Sequence, residues 1–369
     1  MSNQRQASSA SQTPHLSPAE LSYLYTSLSL PKAPIRPDGR SPTQFRPCPQ
    51  KPISSLVQMG AIVGVKAEVE KTILSTDTLA SGISEVDAEG DENSSAAATG
   101  HGSWVQMSIE IPGFRDDDAL PVFLSEMMRE SLVGSVADGE GGVGEMVGGL
   151  KGRLVINKRW HWRLYIDVLL LSQPLSYPLP LLSLTTHLAL LSTKLPKLKS
   201  QGEEDPFFDD DWAVAEYLYP RTSSPKTGTQ SPVRPPVTLL VVSVGENVIF
   251  DPSREEIAVA DAVLAISVTR DTEAGNLKLL SIRTIDPPSR LTQPAVPNSE
   301  NVNMLGATPS TDDVAVLNPA TGEEEVPGVW RPRRGGLKRS VIAHMIKTVL
   351  KKGGVGEEVL EGLEGVEVD

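Results

Sequence analysis

The chain has 369 residues, long enough for one large core or two moderate ones, and two compact halves are the better fit to its length. Its 47 acidic and 34 basic side chains leave a formal charge of -13, which argues against a protein that holds nucleic acid by bulk electrostatics. Cys48 is the single cysteine, which excludes an intramolecular disulfide and a cysteine zinc cluster and suits a reducing intracellular compartment.

Residues 1–15 read as a disordered tail without the apolar stretch of a secretory signal. LSPAELSYLYTSLSL (16–30) predicts a short amphipathic helix, with Ser17 as N-cap, Pro18 at the first position, and Leu21, Leu24, Tyr25 and Leu28 on one stripe. In the next segment, IRPDGRSPTQFRP (35–47), Pro37 fixes φ, Gly39 permits positive φ and Asp38 can bond amides two residues on, so P-D-G is a turn. AIVGVKAEVE (61–70) is rich in β-branched residues and predicts a buried strand, after which an insertion at 71–103 collapses into small and acidic residues. WVQMSIEI (104–111) alternates as a strand does. A helix follows, with Asp118 near its N-cap and Leu120, Leu124, Met127 and Met128 facing inward. Glycine dominates 134–152, and GEGGVG (139–144) matches the dinucleotide fingerprint G-x-G-x-x-G. That stretch follows a helix and precedes the strand-like RLVI, the wrong context for the fingerprint, so a flexible linker is predicted.

WRLYIDVLLLS (162–172) predicts a strand, and Leu181, Leu184, Leu188, Leu191 and Leu195, at steps of three and four, predict a helix packed by that stripe. Asp167, Gln173, Pro174, Pro178 and Pro180 interrupt this leucine-rich region short of the ~20 apolar residues a membrane span requires, so a soluble chain is expected. Residues 200–235 read as a linker of acidic clusters, prolines and serines. VTLLVVSV, VIFDP, DAVLAISVT and LKLLSIRT then spell antiparallel strands joined by short turns. After a loop at 286–335, LKRSVIAHMIKTVLKKG predicts a last helix with Val341, Ile342, Met345, Ile346, Val349 and Leu350 on one face and Gly353 at its end. Residues 354–369 read as an acidic tail. The pattern is α+β, with halves at 16–199 and 236–353, each a mixed sheet packed with helices.

Four stretches carry a family resemblance: SYLYTSLSLPKAPIRPDGRSPTQFRP, AIVGVKAEVE, the pair PGFRDDDALPVF and RLYIDVLLLS, and NVIFDPSREEIAVADAVLAISVT. In identity and order they are similar to the RNase PH-like ring subunits of the eukaryotic RNA exosome. The resemblance implies an RNase PH-like fold, a ribosomal protein S5 domain 2-like half followed by the RNase PH second half. It places Arg36, Asp38, Gly39 and Arg40 in a structural turn close to a ring neighbour. Members of the family continue after Q-F-R-P through two strands before G-V-K-A-E, yet only CPQKPISSLVQMG lies between here, too short for both. We read this as a misplaced exon boundary, a hypothesis that a transcript encoding these same residues would overturn.

Catalytic members of the family degrade RNA from its 3′ end by phosphorolysis, which needs an anion cradle and an acidic residue. Their D-V-x-x-A-D-G-G-T-R pattern corresponds here to DVLLLSQPLS (167–176): the second acid becomes Ser172, both glycines are gone and Ser176 stands at the arginine position. The resemblance therefore implies no enzyme and no cofactor, but a structural subunit of the exosome core ring supporting 3′-to-5′ RNA processing and degradation, including rRNA maturation and mRNA decay. The alternative is an autonomous phosphate-dependent 3′-to-5′ exoribonuclease. Implied partners are the other RNase PH-like ring subunits, the OB-fold and KH-type cap subunits, an exosome-associated nuclease and RNA threaded through the ring. No membrane is implied, and nucleus, nucleolus and cytoplasm are the expected locations.

Read on its own chemistry, Asp167 in an apolar strand suits a hydrogen-bonded structural carboxylate better than a general acid. His15, His101, His161, His187 and His344 show no metal-ligand spacing. Asp116 to Asp118 read as a helix N-terminus and Asp209 to Asp211 as a solvated loop. KGRLVINKRWHWR (151–163) and RPRRGGLKRS (331–340) concentrate basic charge. Arg115, Lys158 and Arg159 are the weak RNA-binding candidates, with Trp160 and Trp162 as either stacking faces or half-buried strand residues.

Overall fold

Ser17 starts the first helix with a capping box: its hydroxyl accepts from Glu20 N, while the Glu20 carboxylate accepts from Ser17 N at 2.7 Å. With Pro18 at the first position this sets helix α1 (Pro18–Leu28), whose Leu24 and Leu28 are buried. The structure, a computed structural model, describes residues 16–31, 34–45, 60–72, 101–134, 149–174, 176–200, 202, 204–220, 233–270, 275–285, 316–317, 324–325, 330 and 337–366. The N-terminal tail, GEGGVG, Cys48 and most of the segment read as a misplaced exon boundary lie outside them.

Strands β1 (Ala61–Lys71), β2 (Val105–Glu110) and β3 (Trp160–Leu170) form the first sheet in the order β1-β3-β2. β1 runs antiparallel to β3, from Ala61 opposite Leu170 to Lys71 opposite Trp160. β2 lies parallel to β3, and a parallel pair needs a crossover. Helix α2 (Ala119–Val133) supplies it, burying Leu124, Met127, Met128 and Leu132. Leu120 is only half-buried. β1 is less buried than its β-branched composition predicted: residues 61–66 alternate between half-buried and exposed, because one face of the strand is in solvent. The Gly-rich linker is shorter than expected, since residues Gly149–Arg153 form a short helix α3, with Leu150 in the core beside Leu154.

Helix α4 (Leu179–Ser192) carries leucine on every side, which a helix does only when both flanks are covered. Leu179, Leu182, Leu190 and Leu191 enter the first core, whereas Leu184 and Leu188 pack against the second. Leu195, expected on this helix, sits beyond it in the two-residue strand β4 (Lys194–Leu195), paired with β5 (Glu216–Tyr217). The second sheet contains β6 (Val237–Val244), β7 (Asn247–Phe250), β8 (Ala262–Arg270) and β9 (Leu277–Ile285) in the order β7-β6-β8-β9, all antiparallel. A short helix α5 (Arg254–Ala258) interrupts the run between β7 and β8, again started by a capping box, Ser253 with Glu256.

Every residue of β6 is buried because successive side chains enter different cores. Leu240, Val242 and Val244 face α4 and the first sheet, while Val237, Leu239 and Val241 face the C-terminal helices. VTLLVVSV reads as an uninterrupted apolar run for that reason. Helix α6 (Arg339–Val349) buries Met345 and Val349 there. Gly353, at φ 67°, turns the chain back, a conformation that side chains with a Cβ resist. Residues read as an acidic tail instead form helix α7 (Val355–Glu364), burying Val355, Leu360 and Leu363 against the same face of the sheet. Within the expected loop 286–335, Val316–Leu317 and Glu324–Glu325 pair as two short strands. The layers are sheet, helix, sheet, helix: an α+β fold.

Candidate functional site

The P-D-G turn forms as read. Gly39 N donates to Arg36 O at 3.0 Å, Gly39 has φ 74°, and the Asp38 carboxylate accepts from Arg40 N at 3.1 Å and from Arg40 Nε at 2.5 Å. Its two arginines point inward. Arg36, 2 % exposed, sends Nε and Nη2 to the fully buried Glu256 carboxylate at 2.7 and 2.8 Å. Its remaining donors reach the carbonyls of Ser41, Phe250 and Asp251 at 3.1, 3.2 and 3.0 Å. Arg40 holds the Asp251 carboxylate at 2.9 Å and the Asp251 carbonyl at 3.0 Å. Asp251 adopts φ 44°, an uncommon conformation for a residue with a Cβ. The turn thus staples the N-terminal segment to the end of β7 and the start of α5. Glu256 and Asp251 were missed from the sequence; S-R-E-E was legible as a capping box, but nothing local says that its glutamate also faces an arginine 220 residues away.

The loop 171–176 follows β3. Among its described residues, 171–174 and 176, none carries charge. Asp167 stands on the exposed face of the first sheet opposite Gly64, not in a hydrogen-bonded interior. Gln173 leans on Gly113, where a Cβ would come within 2.7 Å of its Nε2, so the 111–118 turn lies beside this loop. Arg115, in that turn, is exposed and paired with Asp117 at 3.3 Å. Asp118 occupies the N-cap of α2 without capping it, its carboxylate accepting from Arg115 N at 2.9 Å.

Lys158 and Arg159 lie at the opposite end of β3, separated from Arg115 by most of an eleven-residue strand, about 33 Å. The structure does not bring the RNA-binding candidates together. Against Lys158 and Arg159 lies an acidic segment: Asn157 Nδ2 donates to Glu204 O at 3.0 Å and Trp160 Nε1 to Asp205 Oδ1 at 3.3 Å. Trp162 is buried against Phe208 at 4.9 Å and offers no stacking face, while Lys71 sits 5.2 Å over the Trp160 ring. Of the second basic cluster, residues 331–336 lie outside the described chain.

His161 stacks on Trp104 at 4.1 Å, with Thr72 Oγ1 3.0 Å from its Nδ1. Burial lowers its pKa, partly offset by Glu70. His187 is the more perturbed. It lines a small cavity between α2, α4 and β6 with Ser131, Thr186 and Thr238, and burial pushes its pKa down to about 4. The carbonyls of Pro235 and Pro236 favour a proton on the ring, yet neither nitrogen reaches hydrogen-bonding geometry, and Arg234 disfavours the charge. Among the described residues no group of three or more His, Cys, Asp or Glu is placed to hold a metal ion, and no helix is long and apolar enough to cross a membrane.

Fold and site together define a two-sheet α+β chain pinned internally by Arg36, with a loop after β3 whose described residues carry no charge. The chain is similar to exosome complex component RRP42 of Saccharomyces cerevisiae, 29% identical over 269 residues that cover 68% of this chain and 81% of the relative. It is also similar to exosome complex component rrp42 of Schizosaccharomyces pombe, 28% identical over 284 residues, 69% of this chain and 78% of the relative. The resemblance drawn from four short stretches thus extends over most of the chain. No family model matches it. Among solved structures, an Archaeoglobus fulgidus exosome with RNA bound to the active site covers 72% of this chain and 86% of its own at 20% identity, with a TM-score of 0.43. An archaeal exosome core covers 68% and 79% at 19% identity, with a TM-score of 0.38.

Proposed function

We propose that the chain is a non-catalytic structural subunit of the RNA exosome core ring, supporting 3′-to-5′ RNA processing and degradation, including rRNA maturation and mRNA decay. The observation that carries the non-catalytic part is the loop after β3, whose described residues offer no charge to bind phosphate. Losing one preorganised donor from a charge-stabilising site costs about 3 kcal/mol of transition-state stabilisation, and here the cationic one is absent. The similarity to two exosome components supports the ring assignment. A patch on the solvent face of the first sheet fits it: Ile62 and Leu169 stand opposite each other, and Leu171 follows, at 54%, 41% and 56% exposure. Such a group is what a subunit interface would cover.

In this reading the partners are other RNase PH-like ring chains, OB-fold and KH-type caps, an associated nuclease and RNA passing through the ring, in the nucleus, nucleolus and cytoplasm. Purified chain incubated with single-stranded RNA and phosphate should release no nucleoside diphosphates, and a tagged copy should carry the ring chains with it. Phosphorolysis by the isolated chain would establish the autonomous exoribonuclease instead. RNA contact through Lys158 and Arg159 is a subsidiary proposal: K158Q/R159Q should lower the salt dependence of RNA binding by the assembled complex. An unchanged slope would remove both residues from the RNA path.

A further inference from the structure

Residues 194–217, read from sequence partly as linker, leave the body of the fold as an irregular hairpin. Its legs pair where β4 meets β5 and again where Leu198 faces Phe208. Lys199 N donates to Phe207 O at 2.8 Å and Asp209 N to Lys197 O at 2.9 Å. The inner side is fastened to the first core: Phe208 lies on Trp162, Arg153 pairs with Glu216 at 3.0 Å, and Trp160 and Asn157 bond Asp205 and Glu204.

Away from that fastening Phe207, Trp212 and Val214 are exposed, Phe207 at 63% and Trp212 at 60%. Trp212 is fixed in a single helical turn that Asp211 caps by accepting from Ala213 N at 2.9 Å. Two large rings held outward on an ordered segment add nothing to the chain's own core. They do match the anchor residues that dominate binding energy at protein interfaces, with their ordering cost already met by the fold.

Charge decides the partner. Glu204, Asp205, Asp210 and Asp211 are exposed around these rings. The hairpin also carries its own example of the contact: Lys199 Nζ lies 6.0 Å over the Phe207 ring and 3.0 Å from Asp209 Oδ1. A lysine is held there between an aromatic face and a carboxylate, and Trp212 is likewise exposed and directly preceded in the chain by two exposed aspartates. Phosphate backbones would be repelled by the same carboxylates.

We propose that the outer side of this hairpin is a docking surface for a basic, partly apolar segment of another protein, its lysines or arginines over Trp212 and Phe207 and its apolar residues beside Val214. This goes beyond the ring-subunit role and does not rest on it.

The test uses the full chain and fluorescent peptides of about twelve residues, alternating lysine with leucine, glutamate with leucine, or lysine with serine, alongside a single-stranded RNA of similar length. Fluorescence anisotropy is read at about 50 and 300 mM salt, which brackets the screening of surface charges. The lysine–leucine peptide should bind best. F207S/W212S should weaken it about tenfold while leaving the circular dichroism spectrum and melting temperature unchanged, since both side chains are exposed. D210N/D211N should flatten its salt dependence. Equal binding to F207S/W212S would mean that the acidic chain merely attracts cations, and would overturn the proposal. So would absence of lysine–leucine binding, equal binding of glutamate–leucine, or RNA binding that F207S/W212S abolishes.

Discussion

Replacing Arg36 by methionine keeps most of the buried volume and deletes the charge. Glu256, fully buried, would then retain the amide of Ser253 at 2.7 Å but lose two guanidinium bonds, and three backbone carbonyls would lose their close donors. Breaking a buried ion pair from one side costs about 3–5 kcal/mol, because an uncompensated charge is left behind. Against a total stability of about 5–15 kcal/mol this is a large share, so R36M should lose about 4 kcal/mol. Urea denaturation followed by tryptophan fluorescence reads it as a lower midpoint at unchanged slope. Arg36→Lys should fall between, since one ammonium cannot serve a bidentate carboxylate and three carbonyls together. R36M/E256Q removes the stranded charge and should recover about 2 kcal/mol of the loss. A loss below about 1 kcal/mol in R36M, or a double variant no more stable than the single, would refute the reasoning.

His187 makes the fold acid-sensitive. Its folded pKa lies near 4 and its ordinary value at 6.5, so between them the unfolded chain binds more protons and stability falls as pH falls. The penalty is absent above 6.5 and complete below 4, about 3 kcal/mol; His187→Leu should remove that part of the pH dependence, seen in urea midpoints measured across this range. Leu164→Ala, at a fully buried position of β3, should cost about 2–5 kcal/mol by the same assay. Ser17→Ala deletes the cap of α1 and should cost about 1 kcal/mol, detectable as a lower melting temperature.

Much of the local structure was legible because its causes are local. Ser17, Pro18 and Glu20 specify where α1 starts whatever packs on it, and Met345 and Val349 repeat at the spacing that places them on one face of α6. Pro37, Asp38 and Gly39 specify a turn by their own dihedral limits. Sequence pattern also exposed the uncharged run after Asp167, since an absent arginine needs no fold to be noticed.

Segments whose order comes from distant contacts were misread. The acidic residues of α7 resemble a tail until Val355, Leu360 and Leu363 find the second sheet, and the 194–217 hairpin resembles a linker until Phe208 meets Trp162. β1 reads as buried from its β-branched residues, but the open face of its sheet decides its exposure. The sequence by itself determined where α1 and the P-D-G turn begin and which charges the β3 loop lacks, because capping, dihedral limits and composition act within a few residues. Only the tertiary structure decided that Arg36 faces Glu256, that Arg115 stands a strand's length from Lys158, and that Trp162 is hidden while Trp212 is not. Pairing across 220 residues depends on which surfaces the packed layers bring together, and no short window of sequence contains that information.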